Sequence, residues 1–147
     1  MTPHEFMNQL AELLDETQTG VLSTVDADGQ PHVRWMSPAI LKDRQGALFA
    51  VTCPSFSKTA HLKENPRVEW MFQTTKLDKV LKIRGKVNLL DNPSLKSEVL
   101  EALAPRLGML WKASCSSSDM IVCETVVEEG VYYRPMSGER ETITFEQ

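Results

Sequence analysis

Near the amino terminus, apolar residues recur at the spacing of an amphipathic helix. Over residues 3–16, four apolar side chains fall on one helical face: Phe6, Leu10, Leu13 and Leu14. The opposite face carries glutamates, and Pro3 is tolerated because a proline fits the first turn of a helix. The pattern predicts a helix that packs its apolar face on a sheet.

Beyond this helix, β-branched and aromatic residues come in short runs separated by turn-forming residues. Eight runs are predicted to be strands: GVLSTV, QPHVRWMSPAIL, ALFAVT, RVEWMFQ, KVLKIRGKVNLL, DMIVCETVV, EEGVYYRP and ETITFE. Two further helices are predicted, one within VTCPSFSKTAHLKENPRV and one within DNPSLKSEVLEALAP. Regularly spaced strands with helices around them predict a mainly β fold, in which residues 1–147 form one antiparallel barrel domain with accessory helices.

Two features of these predicted strands leave alternatives open. Gly85 lies inside the longest run, where a glycine marks a sharp bend or a close backbone approach, and barrel curvature is favoured over the approach of a ligand. Trp70, Met71 and Phe72 are adjacent, and they cannot all face one core because side chains alternate along a strand. The second face of that strand is therefore either a subunit interface or a second core.

Composition and charge limit the function classes. A net charge of −4 argues against binding of nucleic acid, and the longest apolar runs are far too short to cross a bilayer. The amino terminus lacks the succession of basic, apolar and small residues that marks a signal peptide. The odd set of Cys53, Cys115 and Cys123 contains no CxxC pair, which predicts reduced, buried thiols in a cytoplasmic protein.

The common signatures of catalysis are missing. His4, His32 and His61 are scattered and show no metal-ligand spacing with any cysteine or carboxylate, so we predict no metal site. No GxSxG elbow, Walker loop or GxGxxG fingerprint occurs. The sequence therefore gives no support to a hydrolase or a nucleoside triphosphatase.

One region departs from the acidic character of the whole chain. Residues 29–63 contain a single acidic residue, Asp43, although the overall composition would place about five there. The same region contains five basic residues: Arg34, Lys42, Arg44, Lys58 and Lys63. A local basic region within an acidic protein fits a small anionic ligand better than a long polyanion.

The helix within VTCPSFSKTAHLKENPRV begins with the wrong charge for a helix start. The partial positive charge at that end favours Asp or Glu in the first turn. Here Ser55 is the predicted cap, Ser57 and Lys58 follow, and no acid comes before Glu64. A bound phosphate would reconcile a lysine with the free backbone N–H groups of the helix start.

A second cation is predicted to face the same point. Alternation places Arg34 on the strand face opposite Trp35, and a mid-strand arginine between apolar neighbours needs an anionic partner. Its fork of donors suits phosphate. Thr52 ends the next predicted strand, so Arg34, Thr52, Ser57 and Lys58 are predicted to converge on one phosphate. The alternative is an ion pair between Arg34 and a carboxylate at the edge of the core, with Lys58 solvated.

The order of these segments carries a resemblance to a known family. GVLSTVDADGQPHVRWM, GALFAVT, SKTAHLKENPRVEWMF and KIRGKVNLLDNP resemble the pyridoxamine 5′-phosphate oxidase-like, FMN-binding split-barrel superfamily, most closely its small general stress protein 26 type, over about residues 5–104. The resemblance implies a split β-barrel and a homodimer that holds FMN in clefts at the subunit interface. It assigns the FMN phosphate to Arg34, Thr52, Ser57 and Lys58.

The same resemblance implies further cofactor contacts. Trp35, Met36 and Val51 would line the flavin, and Trp111 is a candidate for the aromatic contact that the partner chain supplies. The carboxyl-terminal segment that grips the substrate phosphate in pyridoxamine phosphate oxidases has no counterpart that aligns with Arg134 or Arg140, and Val80 stands where those enzymes have a flavin-contacting glutamine. Oxidation of vitamin B6 is therefore not predicted.

Two function classes remain open at this level. The first is an FMN-dependent oxidoreductase that accepts hydride from a reduced nicotinamide, NADH or NADPH, and needs no side-chain acid or base because the flavin performs the chemistry. The second is a non-catalytic protein that binds or stores a flavin, or a haem, during stress. A haem would require an axial ligand, for which His32 and His61 are the candidates.

Overall fold

A computed structural model describes residues 1–106 and 118–146 of the chain. The helices are α1 (Pro3–Thr17), α2 (Ser57–Glu64) and α3 (Pro93–Leu103), with a short 3₁₀ turn at Ala104–Arg106. The strands are β1 (Gly20–Val25), β2 (Pro31–Met36), β3 (Ala47–Thr52), β4 (Arg67–Gln73), β5 (Val80–Leu90), β6 (Ile121–Arg134) and β7 (Glu139–Thr144). Among these helices, none is long and apolar enough to span a membrane.

Every strand pairs with its neighbours in the antiparallel sense, in the order β2-β1-β4-β5-β6-β3, and β7 pairs with β6. One edge of β6 pairs with β5 along almost its whole length. Its other edge is shared, because residues 121–126 pair with β3 and residues 129–134 pair with β7. The predicted fold class is confirmed: the protein is mainly β, an antiparallel split barrel with accessory helices.

The prediction of eight strands is wrong in one place. DMIVCETVV and EEGVYYRP were expected as two strands, but they form the single strand β6, so the described residues contain seven strands. Gly130 lies inside this strand. A Cβ atom at Gly130 would lie 2.6 Å from Cζ of Phe6, so the missing side chain makes room for an aromatic ring of α1.

Gly85 has a related role in β5. The pairing of β5 with β6 shifts register between Arg84 and Gly85, and a Cβ atom at Gly85 would lie 2.2 Å from the carbonyl oxygen of Val126. The residue therefore marks a bulge where two backbones approach closely. Of the alternatives from the sequence, curvature of the sheet is the one that the structure supports.

The main core lies between α1 and the concave face of the sheet. Phe6 and Leu10 of α1 are fully buried there, together with Trp70 and Phe72 of β4, whose rings stack with centroids 5.5 Å apart. Met71, between these two aromatic residues, points to the opposite face and is partly exposed. The three adjacent large residues therefore do not share one core, and Met71 lies on a partly exposed outer face of β4.

A second cluster forms where α3 covers β3 and the first half of β6. Leu95, Val99 and Leu103 of α3 are buried against Phe49 and Val122. Helix α3 begins as predicted, because the Asn92 side chain accepts a hydrogen bond from the backbone N–H of Leu95 at 3.1 Å. Since α3 lies on β3, both faces of that strand are buried and its last residues hold a fixed position next to α2.

The cysteine prediction holds only in part. Cys123 is a free, buried thiol, whereas Cys53 is disulfide-bonded, so the prediction of a reduced thiol is wrong for Cys53. A cysteine count does not reveal which side chains come within bonding distance, which is set by the fold. Cys115 lies outside the described residues. The cytoplasmic location stays a prediction.

Candidate functional site

Helix α2 begins without the side-chain cap that the sequence suggested. Its N-cap is Phe56, which makes no capping hydrogen bond, so the prediction of Ser55 as the cap is wrong. The first turn carries no acidic residue. Ser57 is the first helical residue and is exposed, and the Lys58 ammonium lies 4.4 Å from the centroid of the Phe56 ring. The backbone N–H groups at this helix start thus have no capping side chain and stand beside a lysine.

Strand β2 brings the second cation to this helix start. Arg34 and Met36 are half-buried on one face of β2, whereas Trp35 points the other way and is 81% exposed. The alternation predicted for this strand is therefore observed. Nη1 of Arg34 donates a hydrogen bond to the carbonyl oxygen of Leu22, its paired residue on β1, at 3.1 Å. That bond uses one of the five guanidinium donors and leaves the others for a ligand.

Arg34 and Lys58, which we call the cationic pair, lie close enough to repel each other. Burial is the main cause that lowers the pKa of Lys58; the Arg34 guanidinium also lowers it, while Cys123 acts in the opposite direction. Burial likewise lowers the pKa of Arg34. Within residues 1–106 and 118–146, no carboxylate forms an ion pair with either side chain. The two cations are therefore partly buried and near each other, and neither is ion-paired with a carboxylate of the described residues.

This arrangement decides between the two sequence interpretations for the described part of the chain. An ion pair between Arg34 and a core-edge carboxylate is not present there, and Lys58 is partly buried rather than solvated. Two partly buried like charges are unfavourable unless an anion joins them. The arrangement therefore favours a negatively charged ligand at this position.

Thr52 lies at the same place but is already engaged. Its side chain is 2% exposed, and its Oγ1 atom lies 3.4 Å from Oγ1 of Thr59 in α2. Thr59 Oγ1 in turn donates to the carbonyl oxygen of Cys53 at 2.7 Å. The contact between the two hydroxyls is long for an O–H···O hydrogen bond, so the Thr52 hydroxyl is only weakly held and can turn to another acceptor.

A cavity of about 120 Å³ lies against this site. Five of the predicted site residues line it: Trp35, Met36, Val51, Thr52 and Lys58. Four lining residues were not predicted: Ser37, Cys53, Phe56 and Met120. Arg34 and Ser57 do not line the cavity, and Trp111 lies outside the described residues. Met120 could not be predicted because it precedes β6 and reaches the site only through the pairing of β6 with β3.

The sequence also missed a contact between two histidines. In the sequence His32 and His61 are only scattered residues, but their ring centroids lie 4.5 Å apart. A signal did exist in the spacing. His32 lies two residues before Arg34 on the same face of β2, and His61 lies one helical turn after Lys58 on α2, so both histidines belong beside the cationic pair.

A larger groove elsewhere does not suit an anion. It has a volume of about 470 Å³ and lies between the start of α1 and the end of β7. Its lining includes His4 and Glu146 but no lysine or arginine. The smaller cavity beside the cationic pair is therefore the better candidate for a phosphate-bearing ligand.

Comparisons with known proteins identify the family of this chain. The sequence profile of the pyridoxamine 5′-phosphate oxidase family matches residues 6–133. A pyridoxine/pyridoxamine 5′-phosphate oxidase of Cupriavidus necator is 30% identical over 127 residues, which cover 86% of this chain and 58% of that protein. The chain spans only 35% and 58% of the lengths of the two curated relatives it matches.

Solved structures show the same fold. A protein from Clostridium acetobutylicum that is related to general stress protein 26 superposes with a TM-score of 0.74 at 16% identity, covering 99% of this chain and 97% of that one. An FAD-binding protein from Mesorhizobium loti superposes with a TM-score of 0.66 at 19% identity, covering 84% and 90% of the two chains. With the family profile spanning most of its length, this chain belongs to the pyridoxamine 5′-phosphate oxidase family.

Proposed function

We propose that this protein is an FMN-binding flavoprotein in which Arg34, Thr52, Ser57 and Lys58 hold the FMN phosphate. The observation that carries the proposal is the cationic pair, which is partly buried and has no carboxylate partner in the described part of the chain. A phosphate dianion would neutralise both charges and accept hydrogen bonds from the free backbone N–H groups at the start of α2. The family to which the chain belongs supports a flavin as the bearer of that phosphate.

The flavin ring would lie over the cavity beside the cationic pair. Met36 and Val51 offer apolar surface there, and Trp35 offers an aromatic face at the cavity rim. The cavity of about 120 Å³ is smaller than the ~300–1,000 Å³ of most cofactor pockets. One protomer therefore supplies only part of the cleft, and a second copy of the chain supplies the rest.

The outer face of the sheet supports this homodimer. Val33 and Trp35 are 70% and 81% exposed on β2, which is an edge strand, and the partly exposed Val21 and Met71 continue the same row across β1 and β4. Neighbouring exposed apolar side chains on one surface are typical of an interface between subunits. Burial of this row against a second protomer would place the rim of the cavity at the subunit boundary.

The dimer is tested by placing a charge on this face. Val33→Asp should convert the dimer to a monomer, because the carboxylate would be buried without a partner in the interface. Light scattering after size-exclusion chromatography measures the change in mass. Met136→Asp is the matched control, since Met136 is 85% exposed but lies in the turn between β6 and β7, away from β2. A Val33→Asp protein with the mass of the wild type would contradict the proposed interface.

The proposed activity is that of an NAD(P)H-linked oxidoreductase. When bound, the flavin supplies the capacity to accept and pass on hydride or electrons. The protein residues bind and orient it: the cationic pair anchors its phosphate, and the apolar cavity excludes water from one face of the ring. No side chain with acid or base function is needed for this role, in agreement with the absence of a catalytic signature in the sequence.

Oxidation of vitamin B6 is not part of the proposal. Arg140 packs over the ring of Tyr133, with its guanidinium carbon 5.8 Å from the ring centroid, and Arg134 ends β6 on the exposed surface. Neither arginine faces the cavity beside the cationic pair. The residues that would grip a substrate phosphate are thus not found among the described residues of that cavity.

A titration of the purified protein with FMN, followed by flavin fluorescence and visible absorption, tests the binding proposal. We expect saturable binding, and bleaching of the flavin band on addition of NADH or NADPH. Binding without bleaching by either donor would favour a flavin carrier over an oxidoreductase. No binding of FMN would contradict the proposal. Haem is disfavoured because His61 and His32 are engaged with Thr24 and Asp26 and stack on each other; a Soret band after addition of haem would overturn that conclusion.

A further inference from the structure

Two histidines meet between α2 and the β1–β2 hairpin. His61 of α2 and His32 of β2, which we call the histidine stack, have ring centroids 4.5 Å apart and planes inclined by 33°. His61 Nδ1 forms a 3.2 Å hydrogen bond with Oγ1 of Thr24, which is fully buried in β1. His32 Nε2 lies 2.9 Å from Oδ2 of Asp26. Each ring is thus fixed by one polar contact and by the other ring.

The stack is anchored in a well-ordered turn. The backbone N–H groups of Asp28 and Gln30 both donate to Oδ1 of Asp26 at 2.9 Å. The hydrogen bond from His32 is the main cause that lowers the pKa of Asp26, so the carboxylate that holds His32 is ionised. Because both carboxylate oxygens of Asp26 are engaged, the carboxylate is held in place, and it holds the ring of His32 in turn.

The register of the hairpin places the stack directly behind the cationic pair. Arg34 pairs with Leu22 on β1, and His32 pairs with Thr24 on the next rung of the same face. On α2, His61 lies one turn after Lys58. The cavity opens on the other side of the cationic pair, where Met36 and Lys58 line it. Along β2 and α2 the order is therefore cavity, cationic pair, histidine stack.

This order constrains what a bound phosphate can carry. A flavin ring in the cavity would direct its phosphate toward Arg34 and Lys58. In a dinucleotide such as FAD, that phosphate is followed by a second phosphate and an adenosine, which would extend past the cationic pair. The two imidazole rings lie on that side of the cationic pair, held by Thr24, by Asp26 and by each other, and would oppose such an extension.

We propose that the histidine stack makes the site selective for a terminal phosphate monoester, so that the protein accepts FMN and rejects FAD. The inference rests on the proposed function and adds a specificity that the cationic pair alone does not provide, because both flavins carry negative charge at this point. Specificity of this kind comes from a steric obstacle against the wrong ligand rather than from a stronger contact with the right one.

Two substitutions of His61 distinguish the steric effect of its ring from the effect of its hydrogen bond. His61→Asn keeps a polar group for Thr24 but removes the ring, and His61→Phe keeps a ring without the polar atoms. Affinities for FMN, FAD and riboflavin are measured by fluorescence titration of the intact protein. We expect wild-type protein and His61→Phe to prefer FMN over FAD by at least about tenfold, and His61→Asn to lose most of that preference, with riboflavin affinity little changed in all three.

His32→Ser provides an independent check, because it opens the stack from the strand side, where the residue is partly exposed and substitution is tolerated. It should also lose the preference for FMN. If the variants all kept the ratio of FMN to FAD affinity of the wild type, the inference would be overturned while the proposed function stood. Loss of the preference in His61→Phe as strongly as in His61→Asn would overturn the steric explanation. Wild-type protein that bound no flavin would refute the proposed function, and the inference with it.

Discussion

Helices α1 and α2 begin in opposite ways. At the start of α1, the Thr2 hydroxyl accepts a hydrogen bond from the backbone N–H of Glu5 at 3.1 Å, and Glu5 places a negative charge in the first turn. At the start of α2, Phe56 caps nothing and the first turn carries Lys58 instead of an acid. The first arrangement satisfies the backbone donors and the helix dipole within the chain, and the second does not.

The contrast identifies α2 as a helix whose start is not stabilised by side chains of its own first turn. Helix α1 serves the core, since its buried face carries Phe6 and Leu10. Helix α2 is short and buries only Thr59 and Leu62, so its open start must have another use. The Arg34 guanidinium beside that start makes the local charge still more positive. A ligand with a phosphate would supply to α2 what Thr2 and Glu5 supply to α1.

Lys58→Glu tests this comparison with the largest expected effect. It gives α2 the charge that α1 has, so FMN affinity should fall by more than about 100-fold, because an attraction becomes a repulsion at a site of charge-assisted hydrogen bonds. The unliganded protein should become more stable by about 0.3–1 kcal/mol, since the acid suits the helix dipole. Fluorescence titration and urea denaturation measure the two changes. A loss of stability together with a loss of binding would argue for a structural role of Lys58.

Glu5→Lys is the matched control for that substitution. It makes the reciprocal charge change in the first turn of α1, where Glu5 is exposed. The expected result is a loss of about 0.3–1 kcal/mol in the free energy of unfolding and no change in FMN affinity. An effect on FMN affinity as large as that of Lys58→Glu would show that the measurement responds to net charge and not to the site.

Deprotonation of Lys58 should change FMN affinity and the stability of the unliganded fold in opposite directions. Burial lowers the pKa of Lys58 from the ordinary value of 10.5, so in the folded protein the ammonium loses its proton below that pH. FMN affinity should therefore fall as pH rises through the lowered pKa, by up to about tenfold per pH unit. The unliganded fold should gain stability over the same interval, because the unfolded chain retains the proton to higher pH.

Lys58→Arg separates this effect from the titration of other groups. An arginine keeps its charge throughout the range, so the alkaline loss of FMN affinity should disappear in the variant. Riboflavin, which has no phosphate, controls for the titration of the flavin ring itself. An alkaline loss of FMN affinity that is the same in wild type and Lys58→Arg would exclude Lys58 as its cause.

The smallest expected effect concerns the cap of α1. Thr2→Ala removes the side chain that accepts from Glu5, and should lower the free energy of unfolding by about 1 kcal/mol. Ser55→Ala, at the residue first expected to cap α2, should change stability by less than about 0.5 kcal/mol, since Phe56 is the N-cap there. Thermal denaturation of the two variants side by side measures the difference. Equal losses would mean that Ser55 supports α2 in solution.

Much of the fold could be predicted because its signals are local. Strands β1, β3 and β4 have the bounds that their alternating residues indicated, and α3 begins at its proline after an asparagine cap. The division between DMIVCETVV and EEGVYYRP was wrong because β6 pairs with β5 on both sides of that point, which is not a local signal. Gly130 lies inside this strand. Its role depends on Phe6 of α1, which lies on top of it only in the folded protein.

The candidate site likewise combines features that are local in sequence with contacts that form only in the folded protein. The charge of Lys58 at a helix start and the mid-strand position of Arg34 were visible in sequence, and each pointed to an anion. The proximity of the two cations follows from how α2 packs on the hairpin. His32 and His61 are 29 positions apart, and their spacing to Arg34 and Lys58 indicates a contact only once the packing of α2 on the hairpin is known. Contacts of this kind are set by tertiary packing, which a single sequence does not report.

The central claim is that Arg34 and Lys58 bind the phosphate of FMN, and one comparison tests it most directly. Isothermal titration calorimetry gives the affinities of wild type, Arg34→Ala and Lys58→Ala for FMN and for riboflavin. Arg44→Ala is the control, because Arg44 is an exposed cation of the same basic region.

We expect each of the two site variants to lose about 2 kcal/mol of FMN binding, roughly 30-fold, with riboflavin affinity nearly unchanged. Arg44→Ala should bind both ligands like the wild type. If Arg34→Ala and Lys58→Ala instead weakened FMN and riboflavin equally, neither cation would contact the phosphate and the account would be wrong.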